Sequence, residues 1–237
     1  MNKTLKKHYL TLVQFLGKAL GPDYEVVLHD LEQKNDDTIT AVSNNHISGR
    51  EIGAPLTNKA LEMIAEKTYV ERDYILQYTG VSDDNHLLCS NTMFIKDDDG
   101  KLLGMLCINF DGSRYSNVCN QVLSLCYPPH FIAEHGIEFN ALQKNISSET
   151  LPNAEHFPKS ITEAMETTIR QVIYNYPVNE VSRLTQNEKI EIVGILNKKG
   201  IFQLKGAVSQ VAEILETSEA SIYRYLSKLN RQNSDEN

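Results

Sequence analysis

Four polar side chains stand among apolar or glycine-rich neighbours: His29 in YEVVLHDL, Arg50 and Thr57 in the loop from His46 to Thr57, and Asn109 in LLGMLCINFD. A guanidinium can clamp a carboxylate through two parallel bonds, an amide donates and accepts, and a hydroxyl can do either. In an otherwise apolar interior, such groups fit the polar contacts of a small-molecule pocket. Taken singly, each has a plainer reading. A lone strand histidine is more often bonded to its neighbours, and Arg50 has Glu51 beside it. Taken together, they make a pocket for a carboxylate-bearing effector the stronger expectation.

A second set lies near the end of the chain, in AVSQVAEILETSEASIYRYLSKLN. Val208, Val211, Ala212 and Leu215 recur at helical spacing, and Ser218 can cap a following helix. That helix would bury Ile222, part of Tyr225, Leu226 and Leu229. A small residue at Ala212 lets the second helix cross the first, and Ile222 locks the crossing. The second helix of such a pair presents its N-terminal half to the major groove of DNA. Ser218, Glu219, Ala220, Ser221, Tyr223, Arg224 and Lys228 are the expected contacts. Many such turns carry glycine where Glu216 stands, so the turn must be made without it. A helical hairpin that only packs or dimerises is the plainer alternative.

Catalysis has no positive support. The chain lacks a phosphate-binding P-loop, a dinucleotide GxGxxG, HExxH and GxSxG. Cys119, Cys126, His130 and His135 are close in sequence, but their spacing fits no zinc finger and Pro128-Pro129 divides them. No metal site is expected. The four cysteines form no CxxC pair, and reduced thiols are the default. Asn145-Ile-Ser147 matches a glycosylation acceptor, which carries no weight without a secretory signal. The N-terminal stretch is interrupted by Gln14 and Lys18 and has Leu10, Val13, Leu16 and Leu20 at helical spacing. It is expected to be an amphipathic helix, and the protein to be cytoplasmic with no membrane partner.

The elements that must position these residues follow from periodicity. Tyr24–Leu31 and Thr38–Ser43 alternate as strands, a helix spans Asn58–Glu66, and a short strand covers Asp73–Tyr78. Leu87–Lys96 and Lys101–Asp111 form a hairpin around DDDG, and Ser116–Leu125 is helical. KLLGMLCINFD is apolar on both faces, as suits a central strand covered on both sides. From Cys126 to Phe157 periodicity fades. Ser160-x-x-Glu163 opens a helix through Tyr174, and Thr185-x-x-Glu188 opens Gln186–Lys198. Ile161, Met165, Ile169 and Val172 make a stripe on the first of these, which would serve as a dimer seam or pack on the rest of the chain.

The net charge of −8 is unevenly placed. Residues 1–183 hold 16 Lys/Arg against 24 Asp/Glu, whereas residues 184–237 hold 7 of each. Without the terminal Asp235 and Glu236 the second part is mildly basic. Phosphate repels the acidic body, so only the C-terminal part can face DNA.

The order of elements matches a PAS-like sensor, a curved sheet with helices wrapped over one face. GREIGAPLT (Gly49–Thr57), LLGMLCINFD (Leu102–Asp111), EVVLHDL (Glu25–Leu31) and KGIFQLKGAVSQVAEIL (Lys199–Leu215) together resemble the YheO-like family of bacterial transcriptional regulators. That family joins a PAS-like domain to a DauR-like helix-turn-helix. Where it commonly has Val-Ser at the turn and Thr-Val-Tyr in the recognition helix, this chain has Thr217-Ser218 and Ser221-Ile222-Tyr223. The resemblance implies small-molecule sensing without naming a ligand. A haem or flavin, which PAS-like folds can hold, has no motif here, and no cofactor is expected.

The expected fold is an α/β (α+β) PAS-like sensor with an antiparallel sheet, over residues 1–126. A linker and coupling helix follow over 127–181, then an all-α helix-turn-helix domain over 182–237. The expected function is a homodimeric, effector-responsive DNA-binding regulator, a repressor of a small catabolic or uptake operon, binding double-stranded operator DNA. The alternative is a PAS-like interaction or dimerisation module that binds no specific DNA.

Overall fold

The computed structural model describes residues 1–33, 37–135, 151, 153–174, 176 and 181–235. The Asn145–Ser147 triplet and much of the expected linker lie outside those residues. Among the described residues, no helix is long and apolar enough to cross a membrane.

The first helix, α1 (Lys3–Leu20), starts where the Asn2 side chain accepts from the Leu5 N–H, and it ends at Gly21. Strands β1 (Tyr24–Asp30) and β2 (Ile39–Ser43) follow, then α2 (Asn58–Ala65), the short α3 (Thr68–Glu71) and strand β3 (Tyr74–Val81). Next come β4 (Leu87–Lys96), β5 (Leu102–Asp111), α4 (Ser113–Cys126) and α5 (Pro129–His135). A two-residue strand, β6 (Glu155–His156), leads to α6 (Ile161–Tyr174). The chain then continues through α7 (Gln186–Lys198), α8 (Ala207–Ile214) and α9 (Glu219–Asp235).

The six strands lie in the order β2-β1-β5-β4-β3-β6. Five are antiparallel; β6 joins β3 in parallel, pairing Gly80 with Glu155, so the sheet is mixed. The apolar segment Leu102–Asp111 sits between β1 and β4, as its two-sided apolar pattern predicts. Side chains alternate across a sheet, which fixes what each face carries. Val26 and Leu28 share one face with Leu106 and Ile95, and α1 covers that face with Val13, Leu10 and Leu16. Val27, Cys107, Met105 and Phe94 share the other, which is buried beneath α2 and α6. Helices therefore cover both faces rather than one.

The inner-face cluster does not stop at the sheet. Met165, Ile169, Val172 and Ile173 of α6 join it to Ile192, Val193 and Leu196 of α7, Val211 and Ala212 of α8, and Ile222 of α9. The stripe read as a possible dimer seam is thus packed within its own chain: Met165, Ile169 and Val172 are buried, and Ile161 packs partly buried on the same core. Thr185 and Glu188 form a reciprocal capping box at α7. At α6 the Glu163 N–H donates to Ser160 Oγ, but the Glu163 carboxylate reaches back to the Lys159 N–H.

Candidate nucleic-acid interface and effector site

Helices α8 and α9 meet across Ala212 and Ile222, both buried, with Val211, Leu215 and Tyr225 completing the contact. The Ser221 N–H donates to Ser218 Oγ (3.2 Å), which is the N-cap geometry. The turn between the helices is closed by the Thr217 N–H on the Ala212 carbonyl (2.9 Å). Glu216, in the position many such turns give to glycine, has φ +48°. Lys189 of α7 donates to the Leu215 carbonyl (2.7 Å), so α7 braces the end of α8.

The packing leaves one side of α9 in water. Ser218, Glu219, Ala220, Tyr223, Arg224 and Lys228 are exposed and Ser221 is half-buried. Arg224 Nη2 donates to Ser221 Oγ (3.4 Å), and its Cζ lies 5.7 Å from the Tyr225 ring centroid. A guanidinium held this way near the start of an exposed helix can reach base edges or phosphate.

The other site lies on the inner face of the sheet. Glu25 of β1, Asn109 of β5 and Ser90 of β4 are register partners in one row. Asn109 Nδ2 donates to Glu25 Oε2 (2.8 Å), and Ser48 Oγ donates to Glu25 Oε1 (2.6 Å). Arg50 comes down from the loop after β2, which carries positive φ at Asn44, Gly49 and Gly53. Its Nη2 lies 3.8 Å from Glu25 Oε2, its Nε donates to Ser48 Oγ (3.3 Å), and its Cζ stands 4.9 Å from the Phe157 ring centroid. The fork expected to clamp a carboxylate is thus already engaged on two sides, leaving Nη1.

Glu155 enters the same interior from β6. Thr57 caps α2 by accepting from the Ala60 N–H (3.1 Å), and its hydroxyl donates to Glu155 Oε1 (2.7 Å). Asn58 adds two bonds to this strand, to the Ala154 carbonyl (2.9 Å) and from the His156 N–H (2.8 Å). Gly80 makes the close approach possible: a Cβ there would stand 2.7 Å from Ser90 Oγ and 3.0 Å from the Phe157 ring. Burial pushes the Glu155 carboxyl above the ordinary carboxylate range, while Arg50 and the Ser90 and Thr57 hydroxyls act against that rise.

His29 is also buried, with Nδ1 2.8 Å from Thr38 Oγ1. Burial and the charge of Arg50 hold its imidazole well below the usual value of 6.5. Deeper on the same face, Thr92 lies between Tyr78 Oη (2.8 Å) and Cys107 Sγ (3.2 Å), and burial pushes the Cys107 thiol up to about 12. A thiol in that state is a packing group, not a nucleophile.

Two family models match this arrangement, a YheO-like PAS domain over residues 1–127 and a helix-turn-helix domain over residues 164–227. The chain belongs to the YheO-like PAS family. It is 30% identical over 220 residues to the uncharacterized protein YheO of Escherichia coli K12, covering 93% of this chain and 82% of that one. It is 26% identical over 224 residues to the transcriptional regulator DauR of Pseudomonas aeruginosa PAO1, covering 94% of this chain and 93% of that one.

In this YheO-like chain, Arg50, Thr57 and Asn109 come together through Glu25 and Glu155, while His29 stands to one side on Thr38. The sequence reading missed Glu25, Ser90 and Glu155. Glu25 was findable, since the alternation that turns His29 inward turns Glu25 inward four residues earlier. Nothing local marks Glu155.

Proposed function

We propose that this chain is a DNA-binding transcriptional regulator whose PAS-like part controls the helix-turn-helix in response to a small metabolite. The observation that carries the reading is the crossing of α8 and α9. Ile222 and Ala212 are buried together while Tyr223, Arg224 and Lys228 are left in water at the groove-facing side. The sign of control is repression, and the operator is a twofold site bound by two copies. One mildly basic helix is a weak reader alone, and two half-sites about one helical turn apart supply the missing affinity. The DNA contacts are Ser218, Glu219, Ala220, Ser221, Tyr223, Arg224 and Lys228. The sensor spans about residues 1–126 and the DNA-binding part begins near residue 182.

Effector contacts are assigned to His29, Arg50, Thr57 and Asn109, with Arg50 Nη1 facing an acceptor such as one carboxylate oxygen. What supports this is that Arg50 and Asn109 are each 1% exposed and yet keep a polar atom without a partner among the described residues. Buried polar groups are rarely left so.

The test is binding of the full chain to the DNA upstream of its own gene, against a scrambled sequence, across a salt titration. A regulator prefers the upstream DNA and loses affinity steeply with salt. Equal, weak binding to both sequences would instead favour an interaction module.

A further inference from the structure

We propose that the buried cluster of Arg50, Glu25, Asn109, Ser90 and Glu155 takes a compact molecule carrying a cationic nitrogen beside a hydrogen-bond acceptor, and that Glu155 passes its presence to the DNA-binding helices. The proposal rests on the effector-controlled reading above and deepens it.

Among the described residues Arg50 Nη1 and Asn109 Oδ1 have no hydrogen-bond partner, and Ser90 Oγ and Glu155 Oε2 have none beyond the contact of the Ser90 hydroxyl with the Glu155 carboxyl. All four side chains are at most 3% exposed, so bulk water does not supply the partners. The residues are contiguous. Ser90 faces Asn109 across β4 and β5, Asn109 holds Glu25, Glu25 faces Arg50, and Arg50 and Ser90 both meet surroundings shared with Phe157 and Glu155.

The unmet valences prescribe an occupant. Asn109 Oδ1 can only accept and Arg50 Nη1 can only donate, while Ser90 Oγ can do either and Glu155 accepts when ionised. The occupant must therefore offer an N–H or O–H donor to Asn109 and an acceptor to Arg50. Charge narrows it further, because one guanidinium stands among two carboxylates. A nitrogen-free acid would satisfy Arg50 alone and bring a third carboxylate into the same buried space. A cationic nitrogen pairs with Glu155 and balances the cluster.

The place of Glu155 in the chain gives the site its output. Glu25, Arg50, Ser90 and Asn109 belong to the sheet and its covering loop, whereas Glu155 sits six residues before the start of α6. The first turn of α6 is bonded to α8, where Gln210 Nε2 donates to the Thr162 carbonyl (3.3 Å). A molecule that draws Glu155 inward draws on the strand that leads into α6, and α6 packs against α7 and α8. An effector acts through such differential contact with two arrangements.

The experiment uses the full chain and two matched sets of probes at equal ionic strength: alanine, propionate and ethylamine, and 4-aminobutyrate, butyrate and butylamine. Melting temperature and affinity for the upstream DNA are measured with each. An amino acid should raise the melting temperature and change DNA affinity by about tenfold, while its matched acid and amine do neither. Glu155→Gln should abolish both responses, and Ser90→Ala, a milder change, should weaken them. The proposal is overturned if only the nitrogen-free acids act, if no probe acts, or if the amino-acid response survives unchanged in folded Ser90→Ala or Glu155→Gln. An amino-acid shift in melting without any preference for upstream DNA would keep the site and remove the regulator reading.

Discussion

Gly200, at the end of α7, lies directly against the backbone of Leu61 in α2. A Cβ at Gly200 would stand 2.8 Å from the Leu61 carbonyl oxygen, and Gly200 has φ +76°. The connection into the helix-turn-helix thus rests on the sensor helix that Thr57 caps. Only glycine meets both demands, the left-handed backbone and the missing side chain. Gly200→Ala is expected to cost about 2–4 kcal/mol, from the left-handed conformation and the overpacked contact together. Denaturant unfolding of the two proteins checks it.

Glu216 presents the opposite case. It holds φ +48° in the turn before α9, where an L-residue is strained and its side chain is exposed. Glu216→Gly should stabilise the protein by about 1 kcal/mol, the relief of left-handed strain less the entropy glycine loses on folding. The change should appear as a raised melting temperature.

Ile222 is fully buried at the crossing of α8 and α9. Ile222→Ala should cost about 2–5 kcal/mol, and Ala212→Leu about 1–3 kcal/mol through overpacking of the same contact. Because the two residues share one contact, the double variant should depart from the sum of the single ones. Additive effects in a double-mutant cycle would place them in separate environments.

Acid should weaken the fold earlier than carboxylates alone would. The buried His29 is held neutral, well below its usual 6.5. Below that value the unfolded chain takes up a proton that the folded chain refuses. The stability this residue supports is complete above 6.5 and falls as the pH drops. Between about pH 7 and about pH 5.5 the loss is on the order of 1 kcal/mol for one such group. His156, lowered by burial, adds in the same direction. Urea midpoints against pH should show a shallower acid limb in His29→Gln than in the parent.

The helix-turn-helix was legible because its information is local. Ser218 lies three residues before the N–H it caps, and Ala212 and Ile222 are ten residues apart on two adjoining helices. The same holds for Thr185 and Glu188 and for the strand Leu87–Lys96, whose ends fall where alternation begins and stops. Arg50 and Asn109 were legible as polar residues in apolar company. Their partners were less so. Glu155 lies in a polar stretch with no periodicity, and its strand exists only through pairing with Gly80, 75 residues earlier. Helix α5 was missed for a related reason, since Pro128 and Pro129 read as breakers although proline is tolerated in a helix's first turn. Ends of elements also moved: the strand read as Asp73–Tyr78 runs Tyr74–Val81, and the helix read as Ser116–Leu125 runs Ser113–Cys126.

The most direct test of DNA reading by α9 is the affinity of wild type and Arg224→Ala for the upstream DNA, each titrated with salt and compared on a scrambled sequence. Arg224 is exposed and, among the described residues, held by Ser221 and the Tyr225 ring, so its removal should leave the melting temperature unchanged. The account predicts a loss of about 1–3 kcal/mol on the upstream DNA with specificity relaxed at one base position, and a smaller loss on the scrambled sequence. A folded Arg224→Ala protein that binds the upstream DNA as tightly as wild type, at every salt concentration, would contradict it.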